Sequence, residues 1–542
     1  MAAIIIHLLK KEIVFNLQNI TYLHPNKDLL FSNINLTLNN QNKVALIGNN
    51  GAGKSTLLKI IAGILQPSGG IVKTSSKPYY LPQLFGQFND FTIARALMIE
   101  EQLKALHEIL DGNVTETNLA LLNDDWSIEE RCHEALAYWK LESLDLTRDL
   151  KTLSGGQKTK VFLAGISIHQ PEIILLDEPS NHLDTLGRHL LYDFIESGSG
   201  TFMVVSHDRQ LLNLLDPVYE LNERGIKAYG GNYDFYAGQK EIESNALNQG
   251  VRSKEKALRK AKEAERETAE KQQKLDARGR KKQEKAGLPT ILMNTLKNNA
   301  ERSTSRIKGV HAEKVGAISE ELNELRKELP DTGKMRFDFD NSALHKGKII
   351  FTANNINYEY GGRLLWSQPL HFQVRSGERV VFKGLNGSGK TTLIKIILGE
   401  IEPESGTVYR ADNQAVYVDQ DYSLIDSQLN VYEQAQQFNL SGLQEHEIKI
   451  RLNRFLFTKE YWDKTCGTLS GGEKMRLMLC CLTIRSQAPD IILLDEPTNN
   501  LDIQSIEILT AAISEYQGTL IVVSHDPYFL EQVNVKRTID LE

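Results

Sequence analysis

The sequence predicts an α/β protein built from a duplicated domain, the two copies joined by a long α-helical hairpin. Three observations predict this. The glycine-rich segment GNNGAGKST at 48–56 returns as GLNGSGKTT at 384–392. The motifs that follow the first copy follow the second in the same order. Between the copies, roughly residues 236–334 lack β-branched alternation and are dense in Ala, Glu, Lys, Arg and Gln, a composition that favours helix.

Each glycine-rich segment fits G-x-x-x-x-G-K-[ST]. It follows an apolar strand (KVALI, ERVVF) and precedes an apolar helix (LLKIIAGIL, LIKIILGEI). In that setting glycines let backbone N–H groups turn inward around phosphate. The nucleotide-binding candidates are Gly48, Asn49, Asn50, Gly51, Ala52, Gly53, Lys54, Ser55 and Thr56, then Gly384, Leu385, Asn386, Gly387, Ser388, Gly389, Lys390, Thr391 and Thr392. Lys54 and Lys390 are placed to reach the β- and γ-phosphates, and Ser55 and Thr391 to offer a hydroxyl to Mg²⁺.

The repeat has a measurable period. Gly48 and Gly384 lie 336 residues apart and Gln83 and Gln420 lie 337 apart. Leu153 and Leu469 lie 316 apart, while Asp177/Asp495 and His207/His525 lie 318 apart. The first copy therefore holds about 21 extra residues between Gln83 and Leu153. A period above 300 means a duplicated domain and not a solenoid, whose repeats run about 20–50 residues.

Composition narrows the class. Of 542 residues, 41% are hydrophobic and 25% charged, as in soluble globular proteins. With no apolar run of about 18 residues, a membrane-spanning helix is not expected. MAAIIIHLLKKEI lacks a basic start and a small-residue cleavage site, so it reads as a short extra segment before the first strand, not a signal peptide. Cys132, Cys466, Cys480 and Cys481 show neither a C-x-x-C pair nor metal spacing, which fits a reducing cytosol and argues against zinc or iron–sulfur. The net charge of −7 hides a basic stretch: residues 251–287 carry 14 Lys+Arg against 7 Asp+Glu. A basic segment on an acidic body suits a polyanionic partner met by one part of the molecule.

Further motifs complete each copy. The first has YLPQ at 80–83, LSGGQ at 153–157, IILLDEP at 173–179, HLD at 182–184 and VVSHD at 204–208. The second has YVDQ at 417–420, LSGGE at 469–473, IILLDEP at 491–497, NLD at 500–502 and VVSHD at 522–526. Over roughly 12–235 and 348–540 the chain resembles a pair of ATP-binding-cassette nucleotide-binding domains, P-loop folds that use ATP and Mg²⁺. The resemblance implies that Asp177 and Asp495 hold the Mg²⁺ shell, and that Glu178 and Glu496 orient the attacking water or accept its proton. It implies that His207 and His525 contact the γ-phosphate, and that Gln83 and Gln420 touch Mg²⁺ and the water. The loops Ser154, Gly155, Gly156 and Ser470, Gly471, Gly472, each opening a helix, act in this family on the ATP held by the opposite domain. Two composite, catalytically competent sites follow. Adenine stacking falls to Tyr360 in the second domain, and to Tyr22 or His24 in the first.

The stretch between the cassettes refines the resemblance. Residues 251–285 read as one long helix, broken at Gly287-Leu288-Pro289, with a second helix from Pro289 to about Leu329. Ile318, Leu322, Leu325 and Leu329 recur at helical spacing and would zip the two helices together. Leu288, Ile291, Leu292, Met293 and Leu296 form an apolar tip inside a collar of Arg278, Arg280, Lys281, Lys282, Lys285, Lys297 and Arg302, a pattern suited to structured RNA. The expected layout is a first cassette over 1–235 with a short insert within 84–152, a hairpin linker over 236–334 with its tip near 286–296, and a second cassette over 335–542.

Two cassettes around a charged helical hairpin resemble the ABC-F family of ribosome-associated ATPases. The resemblance implies a cytoplasmic monomer whose cassettes pair within the chain and which binds rRNA and tRNA, with no membrane partner. Its ATP-bound form would dock in the ribosomal exit site for tRNA, the linker reaching toward the peptidyl-site tRNA and the peptidyl-transferase centre. Hydrolysis would then release it. The insert falls where members carry an arm but is short for one, and an ending at Glu542 leaves no room for the C-terminal coiled coil of some members. Two alternatives stand beside this reading. The ATPase subunit of a membrane importer would call for a short linker and often a degenerate half. A non-hydrolysing RNA-binding module would require Glu178 and Glu496 to be dispensable.

Overall fold

The computed structural model describes residues 12–83, 85–222, 225–286, 305–306, 309–310, 312–326, 344–440, 442–485 and 487–541. The chain divides into two compact units, one formed by Met1–Phe235 with Lys334–Glu542, the other by Tyr236–Gly333.

The first unit holds both cassettes, each an α/β fold on a mostly parallel sheet. In the first, the strand order is Tyr79–Leu81, Ile173–Asp177, Thr201–Val205, Lys43–Ile47, Val218–Asn222 and an antiparallel edge, Gly225–Tyr229. In the second it is Ala415–Val418, Ile491–Asp495, Thr519–Val523, Arg379–Lys383 and Arg537–Asp540. The runs IILLD, TFMVV and TLIVV are buried at every position, as expected of parallel strands covered on both faces. Because these strands run parallel, their carboxyl ends lie on one edge. In each sheet that edge receives the glycine-rich loop, the Asp-Glu pair and the histidine of its own cassette.

Each cassette also has a three-stranded antiparallel sheet that the sequence pattern does not announce. In the first, Ile13–Leu23 pairs with Leu29–Asn39 and Gly69–Thr74; in the second, Ile349–Asn357 pairs with Leu370–Arg375 and Ser405–Arg410. Their inner faces share a core with the parallel sheet and the helix after the glycine-rich loop: in the first cassette Phe15, Ile20 and Phe31 fall in one buried cluster with Leu46 and Leu58. Between Gln83 and the LSGGQ loop, helices Glu100–Leu110 and Glu116–Leu122 account for the extra residues. The flanking Thr92–Asp149 bridge matches Asn430–Thr465 in the second cassette.

The second unit is built on the helix Tyr233–Ala286, 54 residues long, and on helical residues 312–326. This helix begins well before residue 251. Gly238 and Gly250 lie inside it, each costing about 1 kcal/mol against alanine. The first turn has one local and one distant cap: Asn232 Oδ1 accepts from Phe235 N at 3.2 Å, and Asn213 Oδ1 accepts from Asp234 N at 2.9 Å. Within the hairpin, Leu322 is buried, Ile318 and Leu325 are half-buried, and Leu325 lies against Gly250. Lys254 pairs with Glu321, and Arg326 with Glu255 at 2.6 Å. Arg278 is exposed. The tip residues Leu288, Ile291, Leu292, Met293 and Leu296, with Lys297, Arg302 and Leu329, lie outside the described residues, as do the side chains of Arg280, Lys281, Lys282 and Lys285 and the segment 1–11. Among the described residues no helix is long and apolar enough to cross a membrane.

Candidate active sites

Both glycine-rich loops adopt backbone conformations that glycine alone enters easily. Gly53, with φ +95°, caps the helix Lys54–Ile61, and Gly389, with φ +86°, caps Lys390–Leu398. A Cβ on Gly53 would stand 2.8 Å from the Phe31 ring, and one on Gly389 would stand 2.4 Å from Leu365. Each lysine folds back over its loop. Lys54 Nζ donates to Gly48 O at 2.7 Å and Asn49 O at 3.2 Å; Lys390 Nζ donates to Gly384 O at 2.8 Å and Leu385 O at 3.0 Å. Burial lowers both ammonium pKa values, with the nearby carboxylates resisting.

The Asp-Glu pairs stand at the ends of Ile173–Asp177 and Ile491–Asp495. Glu178 and Glu496 take left-handed backbone angles, φ +53° and +48°, a strained conformation of the kind that collects at functional sites. Their amides hold them there: Glu178 N donates to Val205 O and Glu496 N to Val523 O, each at 2.8 Å. Because Val205 and Val523 end the strands that lead to the histidines, each glutamate meets its histidine. His207 Nε2 lies 3.2 Å from Glu178 Oε1, and His525 Nε2 lies 3.4 Å from Glu496 Oε1. Neither pair is an ion pair near neutral pH. Burial pushes Glu178 up to about 8 and Glu496 up to about 7, and pushes His207 down to about 3 and His525 down to about 4.

The aspartates meet the loop hydroxyls. Thr391 Oγ1 donates to Asp495 Oδ2 at 3.1 Å, and the Ser55 hydroxyl bonds Asp177. Burial raises both aspartate pKa values. Among the described residues, Asp177 Oδ1, Glu178 Oε1 and His207 Nδ1 are buried without a hydrogen-bond partner. Buried orphan acceptors beside a phosphate-type loop fit a cation and a polyanion arriving together. No cluster of three or more His, Cys, Asp or Glu among these residues could hold a metal alone, so Mg²⁺ here would draw other ligands from phosphate and water.

A family model described as ABC transporter matches residues 31–181 and 367–499, more than half of the chain. A Bacillus subtilis ATP-binding protein, YdiF, is 31% identical over 93% of this chain and 77% of its own length. ABC transporter F family member 5 of Arabidopsis thaliana is 28% identical over 92% of this chain and 71% of its own length. The chain belongs to the ABC-F family. A solved structure of an archaeal ribosome recycling factor, in complex with an archaeal ribosomal stalk protein, covers 96% of this chain and 86% of its own. Its TM-score of 0.59 at 21% identity shows a shared fold.

The two ABC ATPase domains of this ABC-F chain touch through their site loops. Ser154 and Ser470 cap the helices Gly155–His169 and Gly471–Ile484 with reciprocal capping boxes, which fixes the LSGGQ-type loops. Asn386 of the second glycine-rich loop donates to His182 O at 2.9 Å, and a Cβ on Gly156 would stand 3.1 Å from its Nδ2. In mirror fashion Asn50 N donates to Asp502 Oδ2 at 2.8 Å, with Asn50 Nδ2 3.5 Å from Asn500 O. Thr185 Oγ1 lies 2.9 Å from His525 Nδ1, and Arg209 pairs with Glu507 at 3.3 Å across the same face.

The other expected residues lie about the two sites, together with contacts that the sequence does not announce. No hydrogen bond joins Gln83 or Gln420 to the aspartates among the described residues; Gln83 is half-buried and Gln420 exposed. Tyr360 is exposed, with its hydroxyl 3.4 Å from Thr392 Oγ1 and its ring 5.0 Å from that of Tyr358. Tyr22 is half-buried against Phe31, whereas His24 is exposed. Sequence reasoning misses Thr185, Asn500 and Asp502 as cross-domain partners, and Tyr80 and Tyr417 as partners of the aspartates. The repeat of tyrosine three residues before each glutamine is a usable signal for the last two.

Proposed function

We propose that the protein hydrolyses ATP with Mg²⁺ at two composite sites and uses the ATP-bound, closed form to engage the ribosome. The observation that carries the first part is the reciprocal contact of each glycine-rich loop with the opposite domain, Asn386 to His182 and Asn50 to Asp502. In this reading Gly48–Thr56 and Gly384–Thr392 cradle phosphates, and Ser154 to Gly156 and Ser470 to Gly472 close on them from across the interface. Lys54 and Lys390 neutralise phosphate charge. Ser55, Thr391, Asp177 and Asp495 hold the cation, with Gln83 and Gln420 joining it. Glu178 and Glu496 position water, and His207 and His525 meet the γ-phosphate. Tyr360 stacks on adenine in the second domain.

The ribosomal part rests on membership of the ABC-F family and on the basic linker, 14 Lys+Arg against 7 Asp+Glu over 251–287. Kinship of fold with a ribosome recycling factor agrees with it. The domains are then 1–235, 236–334 and 335–542, in a cytoplasmic monomer. Its hairpin tip acts at the peptidyl-site tRNA, and hydrolysis releases the chain. The test is sedimentation of Glu178→Gln/Glu496→Gln protein with purified ribosomes, with ATP and without. ATP-dependent co-sedimentation is expected. Adding Lys281→Glu, Lys282→Glu and Lys285→Glu should weaken it and flatten its salt dependence. Retained ATP binding with no co-sedimentation would overturn the ribosomal reading.

A further inference from the structure

Each glutamine just beyond the edge strand of its parallel sheet, Tyr79–Leu81 or Ala415–Val418, stands three residues after a tyrosine whose hydroxyl reaches the site. Tyr80 lies beside Leu175 in the parallel ladder and Tyr417 beside Leu493, each level with the residue two before the site aspartate. From there Tyr80 OH donates to Asp177 Oδ2 at 3.1 Å, and Tyr417 OH donates to Asp495 Oδ2 at 3.0 Å. Two halves of different sequence thus build one contact in one register. Burial raises both phenol pKa values and the adjacent carboxylate raises them further, so each hydroxyl keeps its proton and donates. The rings themselves pack against the cores of their domains.

The consequence falls on the carboxylate. A buried aspartate with a loop hydroxyl alone could turn about χ2; a second donor on Oδ2 removes that freedom. In the first domain the other oxygen, Asp177 Oδ1, is left buried and unpartnered. We propose that Tyr80 and Tyr417 are positioning residues that hold Asp177 and Asp495 in the rotamer that receives the divalent cation. The inference rests on the nucleotide-site reading above. Outer partners of a metal-binding carboxylate are worth about 10–100-fold in metal affinity, and both sites here have such a partner.

The test uses the full chain in a Glu178→Gln/Glu496→Gln background, with Tyr80→Phe and Tyr417→Phe added singly and together. Phenylalanine keeps the ring and removes only the hydroxyl. Free Mn²⁺ is followed by electron paramagnetic resonance in the presence of ATP, and binding of a fluorescent ATP analogue is followed in EDTA. The expected result is Mn²⁺ affinity about 10-fold weaker in the double tyrosine variant, with nucleotide binding in EDTA unchanged. Unchanged Mn²⁺ affinity overturns the proposal. An equal loss of nucleotide binding in EDTA also overturns it, because that marks a packing role. Failure of the parent background itself to bind the analogue would instead overturn the nucleotide-site reading on which the proposal stands.

Discussion

Glu178 lies at the end of a strand with only 7% of its surface exposed, and burial pushes its carboxyl up to about 8 from an unfolded value of 4.5. A folded-state pKa above the unfolded one means the folded chain binds the proton more tightly. The stability tied to that proton is complete below pH 4.5 and is lost progressively as pH rises through about 8. From those two values the linkage relation gives a cost of about 1 kcal/mol at pH 5 and about 4 kcal/mol at pH 8. Glutamine has the same shape and no charge to bury, so Glu178→Gln should escape nearly all of it. His207, pushed down to about 3, adds a loss on the acid side below its unfolded 6.5, but it is present in both proteins and cancels in their difference.

The assay is thermal unfolding of wild type and Glu178→Gln in EDTA without nucleotide, from pH 5 to pH 8. At roughly 2–4 °C per kcal/mol for a domain of cassette size, the midpoint advantage of the variant should grow by roughly 6–12 °C across that range. Glu496→Gln should behave likewise with a smaller gain, since Glu496 is pushed only to about 7. A difference that stays constant with pH, or a wild type that gains on the variant as pH rises, would refute the assignment of Glu178 as a carboxyl held neutral by burial.

Two further outcomes follow from the same geometry. Gly53→Ala and Gly389→Ala each place a Cβ at positive φ within 2.8 Å and 2.4 Å of a neighbouring side chain, so each should abolish nucleotide binding at its own site and destabilise its domain by about 1–3 kcal/mol. Fluorescent-nucleotide titration and thermal melting check it, and intact binding in both variants would contradict the loop geometry. Thr185→Val removes the hydroxyl 2.9 Å from His525 Nδ1 at nearly constant volume. In a Glu178→Gln background, where turnover is confined to the site of Glu496, it should lower kcat about 5-fold with little change in ATP half-saturation, and Thr185→Ser should restore it.

What can be read from the sequence is local. Phosphate-type loops need glycine at fixed steps, and a buried apolar strand ending in Asp-Glu announces where its carboxylates emerge, so the fold class and the glycine-rich loops are legible in the residues themselves. The early start of the linker helix is not. Gly238 and Gly250 look like breakers and mask the local cap from Asn232, and the second cap, from the Asn213 side chain, comes from a segment about twenty residues upstream. The antiparallel sheets escape notice for a similar reason. Ile13–Leu23 pairs with Gly69–Thr74 across the whole glycine-rich loop, with register shifts that blur the alternation. Contacts such as Thr185 with His525 join residues 340 positions apart and exist only when the domains dock, which no periodicity records.

Those docking contacts also make the two sites unequal in a way the matched motifs conceal. Arg188 is the charge that most lowers the Glu496 pKa, and it comes from the other domain; the corresponding position in the second domain is Ile506. Glu178 receives its relief from Lys54 of its own loop, and its carboxyl stands higher, about 8 against about 7. Asp502 faces Lys54 and His207 just as Asp184 faces Lys390 and His525, but only Asp502 also accepts from a loop amide, Asn50 N, among the described residues, and only Thr185 braces a histidine, His525, at a place where the second domain offers Ile503. Separating the domains would withdraw Arg188 from Glu496 and Asp502 from Lys54. Contact between the domains therefore sets how readily the glutamate at the second site carries charge, and a carboxylate that becomes a stronger site for charge only on docking ties its chemistry to closure without any change in its own motif.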